Sequence, residues 1–229
     1  MRGLNTYETF KAVVDHAAAS GHQIDAIVST GDLVQDETRH GYQRFCAAMK
    51  DLKAPVHCLP GNHDSPEIMA ELLNTPPFQY CGYAHYENWC LVMLNSAVRW
   101  DDFGRLEPAE LDRLEQTLND NTGRDIIIGL HHHPLATGSR WMDGLNLHNS
   151  HEFLALLENR TNVRCVIWGH VHQESDRMLG NMRMLSTPST GSQFRPDSDV
   201  FRLDSRPPGY RWINLLPDGA IETEVVWLD

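Results

Sequence analysis

Four short apolar runs in this chain end in residues that bind metal ions, and this repeated pattern limits the folds that the chain can adopt. The runs cover residues 24–30, 54–59, 125–130 and 163–168. They are followed by Gly31-Asp32, by Gly61-Asn62-His63-Asp64, by His131-His132-His133 and by Gly169-His170-Val171-His172. In open α/β sheets the carboxyl ends of parallel strands face a common crevice, where ligands bind. The sequence therefore predicts one site at which these polar clusters meet.

Helical and strand-like patterns alternate along most of the chain, which is typical of an α/β layered sheet with helices on its faces. Helical spacing of apolar residues predicts helices over 6–19, 38–52, 66–73, 107–118 and 150–159, and a strand over 89–95 joins the four runs above. Beyond residue 177, turn sequences separate strands predicted at 182–187, 209–215 and 221–227, which we expect to be antiparallel. No linker-like segment interrupts the pattern, so residues 1–229 are interpreted as a single domain.

The charge of the chain argues against nucleic acid as a partner. The 31 acidic and 19 basic residues give a formal net charge of −12, and no basic stripe offsets it. No apolar run reaches the ~18 residues of a membrane span, and the first ten residues do not resemble a signal peptide. Five cysteines without a C-x-x-C pair fit a reducing compartment. We expect a cytoplasmic protein that binds neither nucleic acid nor membranes, with its oligomeric state left open.

Each polar cluster alone also has an ordinary structural explanation. Gly31-Asp32 is common in turns, Asn62 could belong to a helix cap, and a run of histidines before proline is consistent with a solvated loop. Four clusters at four strand ends favour a metal site instead. Carboxylate, amide and imidazole ligands without a thiolate favour manganese, iron or zinc. Because the donors exceed the needs of one ion, the pattern favours two divalent ions roughly 3.5 to 4 Å apart.

The chain resembles the calcineurin-like metallophosphoesterases in four motif blocks. The signature of that family runs Asp-x-His, Gly-Asp, Gly-Asn-His-Asp/Glu, His and Gly-His-x-His, and every block after the first occurs here in order. The stretches STGDLVQD, LPGNHD, LHHHPL, GHVHQE and STPSTGSQF are similar to the bacterial class III cyclic AMP phosphodiesterases within the family. The resemblance implies a layered α/β/β/α metallophosphoesterase sandwich. It also implies that a small cyclic nucleotide, 3′,5′-cyclic AMP, is hydrolysed to 5′-AMP.

Carried over residue by residue, the resemblance implies a role for each motif position. The implied metal ligands are Asp32, which would bridge the two ions, then Asn62, His131 and His170 for the second ion, and His172 for the first. The implied catalytic residues are His63, acting on the phosphate and the leaving group, and Asp64, its orienting partner. The implied substrate contacts are Asp32, Asn62, His63 and His172. The nucleophile would be a water that bridges the ions, available as hydroxide near neutral pH.

The first block of the family signature is missing. No Asp-x-His occurs in these 229 residues, and no strand that could carry it precedes Asp32. The first ion would keep only Asp32 and His172, so we expect one of the two metal sites to be impaired. Two explanations are open: the block lies upstream of Met1 and the domain is N-terminally incomplete, or the chain is a one-metal or inactive relative. The first explanation predicts an exposed sheet edge or gap where the missing strand belongs.

Three functions are compatible with these residues. The first is cyclic AMP hydrolysis. The second is hydrolysis of another phosphodiester, phosphomonoester or pyrophosphate on the same scaffold, since loops set the substrate. The third is nucleotide binding without hydrolysis. Two further groups have open roles: Thr187, Ser189, Thr190 and Gln193 could line the pocket or form a turn, and His132 and His133 cannot both face the metals along an extended segment.

Overall fold

Helices separate most of the strands between residues 6 and 168 in the computed structural model, which describes residues 3–228. The strands are β1 (Ile27–Ser29), β2 (Val56–Cys58), β3 (Phe78–Tyr80), β4 (Gly82–Tyr86), β5 (Trp89–Met93), β6 (Asp125–Leu130), β7 (Val163–Trp168), β8 (Ser175–Leu179), β9 (Met182–Ser186), β10 (Gly209–Leu215) and β11 (Ile221–Trp227). The α-helices are α1 (Thr6–Ala19), α2 (Arg39–Met49), α3 (Pro66–Leu72), α4 (Pro108–Asp120), α5 (Arg140–Asp143) and α6 (Ser150–Leu157).

The strands form three groups. A six-stranded sheet has the order β4-β5-β6-β7-β9-β8, in which the inner pairs are parallel and the outer pairs β4–β5 and β8–β9 are antiparallel. A second sheet, β1-β2-β3, is parallel throughout, and β10 and β11 form an antiparallel hairpin. The expectation of antiparallel strands near the C-terminus is confirmed for the hairpin. Strand β9 differs, because it also pairs with β7 in parallel.

Both faces of the six-stranded sheet are covered, which explains why its central strands are almost uniformly apolar. Side chains alternate across β6: Ile126 and Ile128 belong to the core cluster under α4 and α6, whereas Ile127 faces the cluster that includes Val28 of β1 and Ile213 of β10. The outer face of the three-stranded sheet packs on α1, α2 and α3. The layers therefore run α/β/β/α, as the resemblance implies.

The sequence pattern located the long buried elements better than the short ones. Helix α1 has the predicted bounds, whereas the helix predicted over 38–52 ends at Met49 and a 3₁₀ turn, Lys50–Leu52, follows it. Elements β3, β4, β8 and α5 were not predicted. Strands β4 and β8 are short and largely solvent-accessible, so no apolar run marks them. No helix within residues 3–228 is both long enough and apolar enough to cross a membrane.

Strand β1 lies at an edge of the three-stranded sheet. Within residues 3–228 its ladder partner is β2 alone. A groove of about 1300 Å³ lies beside β1, lined by apolar side chains that include Val28, Leu91, Ile127 and Ile213. The groove also reaches the predicted ligand residues. Its lining joins the three-stranded sheet, the six-stranded sheet and the hairpin, so it marks a gap between the two inner layers.

Candidate metal centre

Four of the five predicted metal ligands meet at one point. The Nε2 atom of His131 lies 3.2 Å from Asn62 Oδ1, 3.4 Å from Asp32 Oδ2 and 3.2 Å from His170 Nδ1. Asp32 follows β1 and Asn62 follows β2, while His131 follows β6 and His170 follows β7. The carboxyl ends of strands from two different sheets therefore supply one cluster of donor atoms, as the sequence predicted.

Glycines in the motifs are required by the closeness of these strand ends. A Cβ atom on Gly31 would lie 2.4 Å from His131 Nδ1, and one on Gly61 would lie 2.1 Å from Asp32 Oδ1. The backbone at Asp32 and His170 has positive φ, +55° and +62°, a conformation that costs side-chain-bearing residues energy. The loops thus hold the donor atoms in strained, closely packed positions, which is a common property of functional sites.

Two hydrogen bonds orient the donor atoms toward the centre. The Nδ1–H of His131 donates to the carbonyl of Thr30 at 2.6 Å, which leaves the Nε2 lone pair facing the other ligands. The Nδ2 of Asn62 donates to Asp102 Oδ1 at 3.2 Å, so the amide oxygen points toward His131. Asp102 was not predicted from the sequence, because it lies in a loop far from every motif.

The charge states of the cluster suit a divalent cation. Burial favours a high pKa for Asp32, but His131 and the neighbouring His63 outweigh burial and hold this pKa well below its ordinary value. Burial lowers the pKa of His131, and the adjacent Asp32 outweighs it and raises this pKa above normal. An ion bound here would favour the neutral imidazole of His131, whose Nε2 lone pair would face it.

The donor set also contains a buried atom without a partner. The Nε2 of His170 has no hydrogen bond within the described part of the chain. Burial, together with His132 and His131, holds the pKa of His170 well below its ordinary value, so its imidazole is neutral, the form that binds metals. A carboxylate, an amide oxygen and two imidazoles match the preferences of manganese, iron and zinc. The residues present fit a divalent ion.

His172 faces the same groove but stands apart from the four converging residues. Its Nδ1–H donates to the carbonyl of Ser192 at 2.8 Å, and its ring stacks on Phe194 with 4.1 Å between ring centroids. Burial lowers the pKa of His172 to about 4, which keeps the ring neutral. Its Nε2 lone pair is consequently available to an ion, and its assignment to the first ion stays a prediction.

Asp64 has a different environment from the one expected. Its carboxylate accepts hydrogen bonds from the backbone N–H groups of Leu33 (3.1 Å), Val34 (3.4 Å) and Gly61 (2.9 Å) and from the Tyr42 hydroxyl (3.1 Å). Burial and the nearby Asp32 raise the pKa of Asp64 to about 6. Its bonds join the loop after β1 to the loop after β2, and none of them reaches His63. The expected contact between Asp64 and His63 is therefore not the one that the structure shows.

His63 is instead paired with Gln35. The Gln35 Nε2 donates to His63 Nδ1 at 3.2 Å, so the proton of the neutral imidazole sits on Nε2. The backbone N–H of His63 donates to Asp32 Oδ1 at 3.0 Å, which helps to fix the Asp32 carboxylate. Gln35 lies in the stretch STGDLVQD that carries part of the family resemblance, so the sequence did contain a signal for it.

The two remaining histidines of the third cluster are both buried, with different partners. His132 lies 4.8 Å, ring to ring, from both His131 and His170, and its Nδ1 is 2.8 Å from Ser96 Oγ. With these two ligands it forms a compact group of three imidazoles. His133 turns toward Asp143, with 3.7 Å between Nε2 and Oδ1. His133 also stacks on His170 with 5.8 Å between ring centroids, and the expectation that the two cannot both face the metals stays a prediction.

The STPSTGSQF segment divides into lining and supporting residues. Thr187, Ser189 and Thr190 line the groove, whereas Gln193 is fully buried. The Gln193 amide accepts from the Ser189 backbone N–H at 2.9 Å and donates to the Ser189 carbonyl at 2.8 Å. Gln193 thus holds the loop together, while the other three face the space beside the ligands.

Known proteins share both the sequence and the fold. The sequence model of the calcineurin-like phosphoesterase family matches residues 4–174. The Haemophilus influenzae 3′,5′-cyclic adenosine monophosphate phosphodiesterase CpdA is 42% identical over 224 residues, which are 97% of this chain and 82% of that protein. The protein of the same name from Escherichia coli K12 is 37% identical, with the same two shares covered.

Solved structures with low sequence identity have the same architecture. A dimetal phosphatase from Danio rerio aligns with a TM-score of 0.66 at 13% identity, covering 96% of this chain and 88% of that one. The Thermus thermophilus protein TT1561 aligns with a TM-score of 0.64 at 19% identity, covering 95% and 92%. These two similarities support the layered fold and nothing further.

Proposed function

This chain belongs to the calcineurin-like phosphoesterases and is a metal-dependent phosphodiester hydrolase, and from that premise we propose that it converts 3′,5′-cyclic AMP to 5′-AMP. The observation that carries the proposal is the convergence of Asp32, Asn62, His131 and His170 from four strand ends. The substrate follows from the CpdA relatives, which carry the cyclic AMP phosphodiesterase name over nearly the whole length of this chain. The cytoplasmic location stays a prediction that accompanies this substrate.

Two divalent ions, manganese or iron first and zinc as the alternative, would supply Lewis-acid activation of water and would neutralise charge on the phosphate oxygens. The chain's own residues would hold them. Asp32 Oδ2 lies 3.4 Å from His131 Nε2 and Asp32 lines the same groove as His172, which supports the proposal that its carboxylate would bridge the two ions. The first position has Asp32 and His172 as its candidate ligands in the described chain, so we expect it to be the weaker one.

The proposal assigns His63 the delivery of a proton to the leaving group. Because Gln35 donates to its Nδ1, the Nε2–H is the free donor of the ring. In the proposed reaction a water molecule attacks phosphorus in line with the 3′ oxygen. The water gives up one proton to solvent, its O–H group stays on phosphorus, and the bond from phosphorus to the 3′ oxygen breaks. The 3′ oxygen leaves with a proton from His63, and the remaining bond to the 5′ oxygen gives 5′-AMP.

The test of the proposal is formation of 5′-AMP from cyclic AMP across a manganese titration, with Asp32→Ala as the control. Turnover that this substitution abolishes would support the proposal. Cyclic GMP, 2′,3′-cyclic AMP and p-nitrophenyl phosphate should be compared under the same conditions. Preference for one of these would identify another substrate on the same scaffold, and cyclic AMP binding without turnover would identify a non-hydrolysing relative.

The proton-transfer role of His63 has its own test. His63→Ala should slow hydrolysis of cyclic AMP far more than that of bis(p-nitrophenyl) phosphate, because p-nitrophenolate leaves without a proton. General acid catalysis is worth roughly 10²- to 10⁴-fold, so the ratio of the two rates should change by about that factor. An equal loss on both substrates would assign His63 to substrate positioning instead.

A further inference from the structure

An exposed tryptophan projects from a strained loop next to the candidate centre. Trp100 is 81% exposed, the highest value among the exposed large hydrophobic residues of the described chain. Its φ is +69°, a conformation that is unusual for a bulky side chain. Exposure of the large apolar ring to water and the positive φ of the backbone are both unfavourable for the folded protein. Backbone outliers of this kind are common at ligand-binding sites.

The loop is fixed at its base and tied to a predicted ligand. An antiparallel bridge between Ala97 and Gly104 closes the loop. Inside it, Asp102 accepts the hydrogen bond from the Asn62 side chain at 3.2 Å. Asn62 and Trp100 also line one small pocket together. Trp100 therefore lies on the surface next to Asn62, one of the candidate ligands.

One face of the indole is already occupied, and this fixes its orientation. The Arg99 guanidinium carbon lies 4.7 Å from the centre of the Trp100 ring, and Arg99 Nη1 forms an ion pair with Glu67 Oε1 at 2.8 Å on α3. The arginine therefore links the ring to a helix. Given the high exposure of Trp100, the opposite face of the ring is open to solvent.

We propose that Trp100 stacks on the base of the nucleotide whose phosphate lies at the metal centre. This inference rests on the proposed function, because it requires a nucleotide substrate. Bases stack on aromatic side chains through their π faces, and a purine offers more overlap with an indole than a pyrimidine does. Trp100 would then raise the affinity for purine cyclic nucleotides without acting on the bond that breaks.

The test compares Trp100→Gly with Trp100→Phe on two substrates. These are cyclic AMP and the 3′,5′-cyclic phosphate of 1-deoxyribose, which has no base. Trp100→Gly should raise KM for cyclic AMP about tenfold, as expected for loss of one stacked base, with kcat within about twofold. The base-free substrate should be unaffected, and Trp100→Phe should retain most of the affinity. Tyr83→Ala, at a 49% exposed aromatic on β4, is the matched control.

Stability is a second readout that separates stacking from a structural role. Glycine favours the positive φ at this position, and little contact is lost because the ring is exposed. The melting temperature of Trp100→Gly should therefore stay within about 4 °C of the wild type. A large drop in melting temperature with equal losses on both substrates would overturn the inference.

The inference and the proposed function can fail separately. An unchanged KM for cyclic AMP in Trp100→Gly would overturn the stacking role and leave the hydrolase intact. If the wild type does not turn over cyclic AMP, equilibrium dialysis with radiolabelled cyclic AMP and manganese replaces the kinetic assay. A Kd about tenfold weaker in Trp100→Gly would still support stacking, and equal or absent binding in both proteins would overturn it.

Discussion

Removing the hydroxyl of Tyr42 tests whether Asp64 acts as a structural link between the two ligand-bearing loops. Tyr42 on α2 is fully buried, and its hydroxyl donates to Asp64 Oδ1 at 3.1 Å and accepts from the Ser65 backbone N–H at 2.8 Å. The substitution Tyr42→Phe keeps the ring and deletes both hydrogen bonds. It leaves one oxygen of a buried carboxylate with fewer donors and one buried N–H without its partner.

The expected cost follows from these two bonds. A hydrogen bond to a charged group is worth ~1.5 to 3 kcal/mol, and a buried donor left without a partner costs ~1 to 3 kcal/mol. Because the two effects share one hydroxyl, we expect a total of about 2 to 4 kcal/mol. For a chain of this size that loss lowers the melting temperature by on the order of 10 °C.

Urea unfolding followed by tryptophan fluorescence measures this loss, with Tyr83→Phe on β4 as the control. The control should lie within about 0.5 kcal/mol of the wild type, since Tyr83 is half exposed. The half-saturating manganese concentration for hydrolysis should also rise in Tyr42→Phe, because Asp64 holds the loops that carry Asp32 and Asn62. A free energy of unfolding equal to that of the control would refute the idea that this hydroxyl secures Asp64.

Two further substitutions test the surroundings of the ligands. Asp102→Ala removes the acceptor of the Asn62 amide and should raise the half-saturating manganese concentration by roughly tenfold or more. The neighbouring substitution Asp101→Ala should leave that concentration unchanged. Equal effects of the two substitutions would contradict the idea that Asp102 orients Asn62. Gly104→Ala places a Cβ 2.3 Å from His132 Cγ and should lower the free energy of unfolding by about 1 to 3 kcal/mol. Gly123→Ala, whose Cβ would meet nothing within 4 Å, is its control in the same thermal melts.

The elements that could be predicted are those whose buried side chains form a recognisable pattern of apolar residues in the sequence. Strands β6 and β7 are buried on both faces, so their sequences are continuous apolar runs that end at the ligand residues. Strand β8, an edge strand with mostly exposed side chains, has no such run and was missed. Its position depends on pairing with β9, a contact that its own sequence does not encode.

The same distinction explains which site residues were found. His131 and His170 could be predicted because metal chemistry requires their side chains at strand ends. The role of Asp64 could not, because its partners are backbone N–H groups and a tyrosine on a distant helix. Every non-proline residue has a backbone N–H donor. The sequence therefore does not indicate which of these donors a buried carboxylate will use.

The distribution of the candidate ligands between two sheets would link local unfolding to metal concentration. Asp32 and Asn62 extend from the three-stranded sheet, whereas His131 and His170 extend from the six-stranded sheet. An ion held by both pairs would join the layers at one end of the groove, and its binding energy would oppose their separation. Backbone amides of β1 and β2 should therefore exchange their hydrogens more slowly as manganese is added. Amides in the middle of β6, already protected by pairing on both sides, should change far less.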